Sequence, residues 1–337
     1  MDHGLMYYSY PESVSTVNIG DYIQSLAAAQ YLPDNCQPVL IDRENLSSYS
    51  GGAVKMIMNG WYMHNPVHWP PASQINPLFV AFHLNQNVKE QMMSLDGVSY
   101  LKQHAPIGCR DEDTRQTLNE YGVDAYYSSC LTLTLGKKYA VQGNRSSEVL
   151  FVDPCLDSCS YLFRKLESKG WIKNKKKQII DSIELESKMK PNLFYKTYEK
   201  IFPMSILKDS TYIRHEIPKT HFKDEESKFR YAENLITRYA KARLVVTSRI
   251  HCALPCLALG TPVIYVHDTY TRMVDKARVE KLLELFHVVT ISKNTLESND
   301  ICLQTLKNDF DSFELINKTD CKEYAEKLKE ACSRFID

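Results

Sequence analysis

A chain of 337 residues, 44% apolar and 24% charged, is long enough for two globular domains of ordinary size and is too apolar for a disordered segment. Its 41 basic and 41 acidic residues cancel, which argues against a nucleic-acid binder, whose surface carries a basic surplus. No run approaches 18 apolar residues, and MDHGLMYYSYPES lacks the basic-then-apolar order of a secretory leader. A cytosolic protein with ten reduced, mostly buried cysteines is therefore expected.

The pattern along the chain alternates strand and helix. A strand is predicted near residues 5–10, then a loop carrying Asn18, Gly20 and Asp21, then a helix over 22–31 with Ile23, Leu26, Ala27 and Gln30 at helical spacing. Asp21 reads as an N-cap or first-turn acid. Gly20 reads as a tight turn at the carboxyl edge of a parallel sheet, where ligands sit. Strands follow at 39–41 and 53–58, the second running into a loop Asn59-Gly60-Trp61-Tyr62-Met63-His64. Another strand covers 78–83 and ends on His83. Residues 107–110 form the next, ending on Arg110, with Asp111 to Thr114 capping a helix over 114–121 that Gly122 closes. A strand at 125–127 completes a first doubly wound domain, residues 1–145.

The pattern restarts at 148–153, after a polar stretch, and runs through a second domain, residues 146–305. Its expected elements are a strand within 208–217, a helix over 225–240, strands at 244–247 and 263–266, a helix over 278–286 and a strand at 288–291. A last helix, 319–336, capped by Thr319 or Asp320, closes a segment (306–337) that returns across the domain junction. Lys173, Lys175, Lys176 and Lys177 cluster after Trp171. They read as a solvated face, or more sharply as a contact with anionic lipid. Neither Cys155 with Cys159 nor Cys252 with Cys256 has the partners of a zinc finger.

The most informative stretch is LVVTSRIHCALPCLALGTPVIYV, residues 244–266. It reads as strand, helix, strand, with Gly260 ending the helix and Pro255 limiting where it begins, so that Ser248, Arg249, Ile250 and His251 fall in the loop or first turn. Backbone N–H groups and the positive helix end favour an anion there. A guanidinium and an imidazole two residues apart make a seat for phosphate or carboxylate. The plainer reading is that Arg249 pairs with a core carboxylate and His251 is a satisfied, half-buried histidine.

With these residues in hand, the chain resembles the polysaccharide pyruvyl transferase family. The resemblance rests on Asn18-Ile19-Gly20-Asp21, on MNGWYMH at 58–64, on PIGCRDEDT with YYSSCLTLTL within 106–135, and above all on TSRIHCALPCLALGTPVI at 247–264. It implies an α/β fold of two Rossmann-like, doubly wound domains in a GT-B-like arrangement, with the active site between them. The first domain then takes the acceptor and the second takes phosphoenolpyruvate. It implies transfer of the enolpyruvyl unit of phosphoenolpyruvate to a sugar, usually as a cyclic ketal, with release of phosphate, and it associates the Arg-x-His pair with the donor.

On that basis His251, Arg249 and Asp21 are the expected catalytic residues, His251 as acid and Asp21 as base. Asn18, Gly20, Asn59, Arg110, Asp111 and Ser248 are the expected substrate contacts, Asp111 reading first as a helix cap. His64 and His104 are further candidates. No cofactor or metal is expected, because cationic side chains can balance the donor and no carboxylate cluster for magnesium stands out. The expected acceptor is a hexose such as galactose on a lipid-linked oligosaccharide, met at the inner membrane face. Two other readings share the features: a glycosyltransferase with a nucleotide-sugar donor, and a non-catalytic scaffold of an assembly complex.

Overall fold

The alternation of apolar runs with amphipathic segments resolves into two parallel sheets flanked by helices. A computed structural model describes residues 1–154, 191–269, 281–292 and 295–337. In the first sheet, β1 (Asp2–Tyr7), β3 (Val39–Asp42), β4 (Val54–Tyr62), β5 (Ile75–Leu84), β6 (Ile107–Cys109) and β7 (Ala125–Tyr127) stand in the order β3-β1-β4-β5-β6-β7 and all run parallel. The second orders β8 (Val149–Val152), β9 (Thr211–Ile213), β11 (Leu244–Thr247), β12 (Val263–Asp268), β13 (His287–Ser292) and β14 (Thr295–Glu297) as β14-β13-β12-β11-β8-β9. There only β14 is antiparallel. Order reverses about β1 in the first sheet and about β8–β11 in the second, so each has the switch point at which doubly wound folds bind ligands.

Between these strands run α1 (Ile19–Ala29), α2 (Leu95–Gln103), α3 (Glu112–Glu120), α4 (Pro191–Tyr198), α5 (Glu225–Lys241) and α6 (Ile250–Ala258), and α7 (Lys322–Ile336) ends the chain. The two sheets are stitched by a small antiparallel pair. In it β2 (Thr16–Asn18) lies against β10 (Glu216–Pro218) with Asn18 opposite Glu216. The amide of Ile19 extends the seam by donating to the carbonyl of His215 at 2.9 Å. One apolar core runs through this junction, from the first sheet through α1, α5 and α6. A second, rich in aromatic rings (Phe151, Phe194, Tyr198 and Phe202), fills the other face of the second sheet. The last helix lies on the first sheet: Tyr324 packs edge-on against Tyr127, and Lys55 Nζ donates to the Ile336 carbonyl.

Several boundaries differ from the sequence expectation. α1 begins three residues early because Asn18, not Asp21, is its cap, accepting from Gly20 N at 3.1 Å. The expected loop 59–64 is largely strand: β4 runs on to Tyr62, with its register shifted between Met58 and Gly60. The strand expected within 208–217 divides into β9 and β10, which belong to different sheets. Pro255 is the sixth residue of α6, not a first-turn residue. It cannot donate to the carbonyl of His251 four residues back, and the helix bears this loss in its short, buried span. Cys321, not Thr319 or Asp320, holds the cap position of α7 and makes no side-chain cap bond. The Lys173–Lys177 cluster, Cys155, Cys159 and residues 278–280 lie outside the described residues. Among the described residues no helix is long and apolar enough to cross a membrane.

Candidate functional site

Three helix N-termini carry the residues expected to act. In α1, Asn18 closes the first turn and leaves Asp21 buried on the inner face. Its carboxylate is enclosed by donors: Tyr10 Oη at 2.9 Å and Arg43 Nη1 at 3.8 Å on Oδ2, with Gln24 Nε2 at 3.2 Å and Asn18 Nδ2 at 3.4 Å on Oδ1. Gln24 lies one turn along the helix from Asp21, the spacing at which side chains share a face. Arg43 is fully buried, held between the rings of Tyr8 and Trp61 with its carbon 4.9 Å from each centroid. Burial opposes its charge, but Asp21 and Glu44 outweigh that cost and keep the guanidinium protonated.

Gln24 passes the network onward. Its Oε1 accepts from Arg110 Nη1 at 2.9 Å, and its carbonyl accepts from Asn59 Nδ2 at 2.9 Å. Arg110, at the end of β6, is 4% exposed, and the same Nη1 lies 3.2 Å from His251 Nε2 on α6. Arginine can only donate, so Nε2 carries a lone pair and His251 stands as the neutral Nδ1–H tautomer. The other terminal nitrogen of Arg110, Nη2, is buried with no hydrogen-bond partner among the described residues. A buried, unsatisfied guanidinium N–H costs free energy unless something accepts from it.

His251 itself sits against α1. A Cβ on Gly20 would lie 3.1 Å from its Nδ1 and 3.2 Å from its Cβ, so the N-termini of α1 and α6 abut at a point where any side chain would push the neighbours back by a few tenths of an ångström.

Arg249 is the residue preceding α6. Its Nε donates to Asp153 Oδ2 at 2.8 Å, and Nη1 is 3.6 Å from Glu216 Oε1, the residue paired with Asn18 across the seam. Asp153 directly follows β8 in a left-handed conformation (φ 40°), a strained position for a non-glycine residue. The strain is held by the His215 amide on its carboxylate at 2.9 Å and by Ser248 Oγ on its carbonyl at 2.7 Å. Burial works against a charged Asp153, yet Arg249 and the His215 amide prevail and its carboxyl lies below the ordinary range. Ser248 is thus a strut between β8 and α6.

Of the expected residues, Asn18, Gly20, Asp21, Arg110 and His251 come together, with Asn59 packed beneath them and Arg249 joined through Glu216. Asp111 turns away: Oδ1 caps α3 by accepting from Thr114 N at 2.9 Å, and Oδ2 meets His83 Nδ1 at 2.5 Å. His83 outweighs burial and pulls the Asp111 carboxyl down to about 2. His64 stands beside Trp61 and Tyr10, its ring centroid 4.6 Å from that of Trp61. Burial and the Arg43 cation lower its pKa. His104 packs on Tyr100 and Phe79, in a different aromatic cluster. Sequence reasoning missed Arg43, Gln24, Tyr10, Asp153 and Glu216. The signal for Gln24 was its spacing from Asp21. Arg43 and Asp153 stand at or just past strand ends, where ligand-facing residues of parallel sheets gather.

The polysaccharide pyruvyl transferase family model matches residues 18–267, from the cap of α1 to the end of β12. The chain belongs to that family. Membership makes it a pyruvyl transferase of polysaccharide by family, and the matched span contains every residue of the network except Tyr8 and Tyr10. A search of curated proteins returns no match. Among solved structures, a functionally uncharacterized protein from Klebsiella pneumoniae aligns over 86% of this chain and 93% of its own, at 11% identity and a TM-score of 0.41.

Proposed function

We propose that this protein transfers the enolpyruvyl unit of phosphoenolpyruvate to two hydroxyls of a sugar, forming a pyruvate ketal and releasing phosphate. The observation that carries this reading is Arg110, whose buried Nη2 lacks an acceptor while Nη1 touches His251. Phosphoenolpyruvate presents a phosphate and a carboxylate close together. Arg110, Arg249 and the abutting N-termini of α1 and α6 supply separate grips for the two groups.

When an anion takes the N–H groups of Arg110, the Nε2 lone pair of His251 can take up a proton from the donor phosphate, and His251 then carries the proton that an acid must deliver. Ketal formation requires one proton to reach the methylene carbon and a sugar oxygen to bond the carbon beside it; a second sugar oxygen then displaces phosphate. Of the two hydroxyl protons lost, one is matched by the new methyl hydrogen and the other leaves with phosphate. His251 is assigned to the proton that reaches carbon, and Asp21 to the hydroxyl, which replaces Tyr10 as its donor. Trp61 and His64 offer an aromatic wall beside Asp21 on which a sugar ring can lie. Asn18 holds Asp21 and Asn59 holds Gln24 in place, Asp153 and Ser248 hold Arg249, and Asp111 supports Arg110 from the next position. The acceptor assigned is a hexose of the galactose type on a lipid-linked precursor at the cytoplasmic membrane face. No cofactor or metal is assigned.

The test is phosphate release from phosphoenolpyruvate with free and lipid-linked galactosides, the product checked by mass for one pyruvate less one water. Arg110→Lys keeps the charge but cannot span Gln24, His251 and a ligand at once. Losing one charged hydrogen bond of about 1.5–3 kcal/mol raises the donor KM roughly 10- to 100-fold. Binding of a nucleotide sugar with no turnover of phosphoenolpyruvate would replace this reading with a glycosyltransferase.

A further inference from the structure

The opposite edge of the second sheet holds a cluster that transfer chemistry does not use. His287 opens β13, and its Nε2 lies 2.9 Å from the carbonyl of Ile316. A carbonyl only accepts, so Nε2 carries the hydrogen and Nδ1 is the nitrogen left to bind something else. Facing Nδ1 at 2.6 Å is Oδ2 of Asp300. A neutral imidazole and a carboxylate would set two lone pairs against each other there, so a positive species must lie between them: a proton or a metal ion.

A third donor is at hand. Cys302 Sγ, a ring nitrogen of His287 and an Asp300 carboxylate oxygen all lie within 4.8 Å of one another. The Cys302 amide donates to Asp300 Oδ1 at 3.0 Å, which fixes the thiol in register with the carboxylate. His287 is buried and Cys302 exposed, so the cluster opens to solvent on one side. A histidine held by a backbone carbonyl on its far nitrogen is the arrangement that orients imidazole toward a metal.

We infer that His287 Nδ1, Asp300 Oδ2 and Cys302 Sγ form a binding site for a zinc-class divalent cation, with water as fourth ligand. Nitrogen, oxygen and thiolate donors together suit tetrahedral zinc better than magnesium or calcium. Donor atoms around such an ion stand roughly 3.3–3.7 Å apart, given bonds of about 2.0–2.3 Å. The His287–Asp300 pair, 2.6 Å apart, therefore opens by a little under ~1 Å to admit the ion. Binding releases two protons to solvent, one from the Cys302 thiol and one from the His287–Asp300 pair, so affinity falls as pH falls.

The ion clasps the start of β13 to the 300–302 turn and to the segment around Ile316. That segment already holds the sheet edge: Asn317 Oδ1 accepts from Val263 N and its Nδ2 donates to the Thr261 carbonyl. The transfer site lies at the other ends of these strands, where Thr247 and Val152 stand in register. The role is thus to brace the second sheet.

Cobalt(II) added to the reduced full-length protein is the probe. One equivalent should produce a thiolate-to-cobalt charge-transfer band in the near ultraviolet, and zinc should abolish it. Cys302→Ser, an exposed change that the fold tolerates, should remove the band and weaken zinc binding at least tenfold. Asp300→Asn should keep the band but weaken binding. Zinc should raise the melting temperature of the parent and not of Cys302→Ser. No band, or one unchanged in Cys302→Ser, overturns the inference. The first outcome leaves an imidazolium–carboxylate pair only, and the second places the metal on another cysteine.

Discussion

Gly20→Ala puts a methyl group where α1 meets α6. The new Cβ would stand 3.1 Å from Asn18 Oδ1, 3.1 Å from His251 Nδ1 and 3.2 Å from His251 Cβ. Ordinary contact begins near 3.4 Å, so the neighbours must retreat by a few tenths of an ångström. Alanine recovers up to about 1 kcal/mol of helix preference and unfolded-state entropy over glycine, while mild overpacking costs about 1–3 kcal/mol. These terms nearly cancel, and Tm should move by no more than ~4 °C.

Turnover is less forgiving. A 1 Å misplacement of a reacting group costs about 100-fold, so a shift near a third of that costs roughly three- to fivefold in kcat. Gly20→Val, with more bulk at the same point, should cost at least ~30-fold. The assay is phosphate release alongside thermal unfolding of the same preparations. Full activity in Gly20→Val with native stability would show that the contact between α1 and His251 plays no part in the reaction. Parallel loss of activity and fold would make Gly20 a packing residue only.

Other consequences follow from the same geometry. Asp153→Asn removes the charge that holds Arg249 Nε, so the donor KM should rise about tenfold with kcat changed much less; an unchanged KM would detach this pair from the site. Asp111 has its carboxyl lowered to about 2 in the folded state against about 3.9 unfolded, and so contributes about 2–3 kcal/mol that is present above pH ~4 and lost as pH falls toward 2. Asp111→Asn keeps the cap on Thr114 and loses the His83 pair. Urea unfolding between pH 6 and 3 should therefore show a shallower acid loss than in the parent, and identical slopes would refute the assignment.

Much of the scaffold was legible because its signals are local. Residues 125–127 were placed without error, and α5 within one residue, since Asp224 with Ser227 forms a capping box at its start. Asp111 was read first as a cap and is one, through a bond only three residues long. The errors came where a neighbour outside the local window decides. β4 runs past Met58 because β5 lies alongside it as far as Leu84, so a stretch that reads as a loop is held as strand. Residues 211–218 divide between two sheets because β10 finds β2, about 200 residues away in the chain.

What the sequence by itself determined is the alternation of strand and helix, the two parallel sheets this implies, and the segments from Asn18 to Thr261 that carry the polar groups. Helix periodicity, caps and strand composition all act within a few residues, so they can be read in order. Tertiary structure alone decided which groups meet. Arg110 reaches His251 across 141 positions, and Asp153 holds Arg249 across 96. Those pairings depend on strand order and on how closely α1 and α6 pack at Gly20. Both are set by burial of surfaces far apart in the chain, which no local pattern encodes.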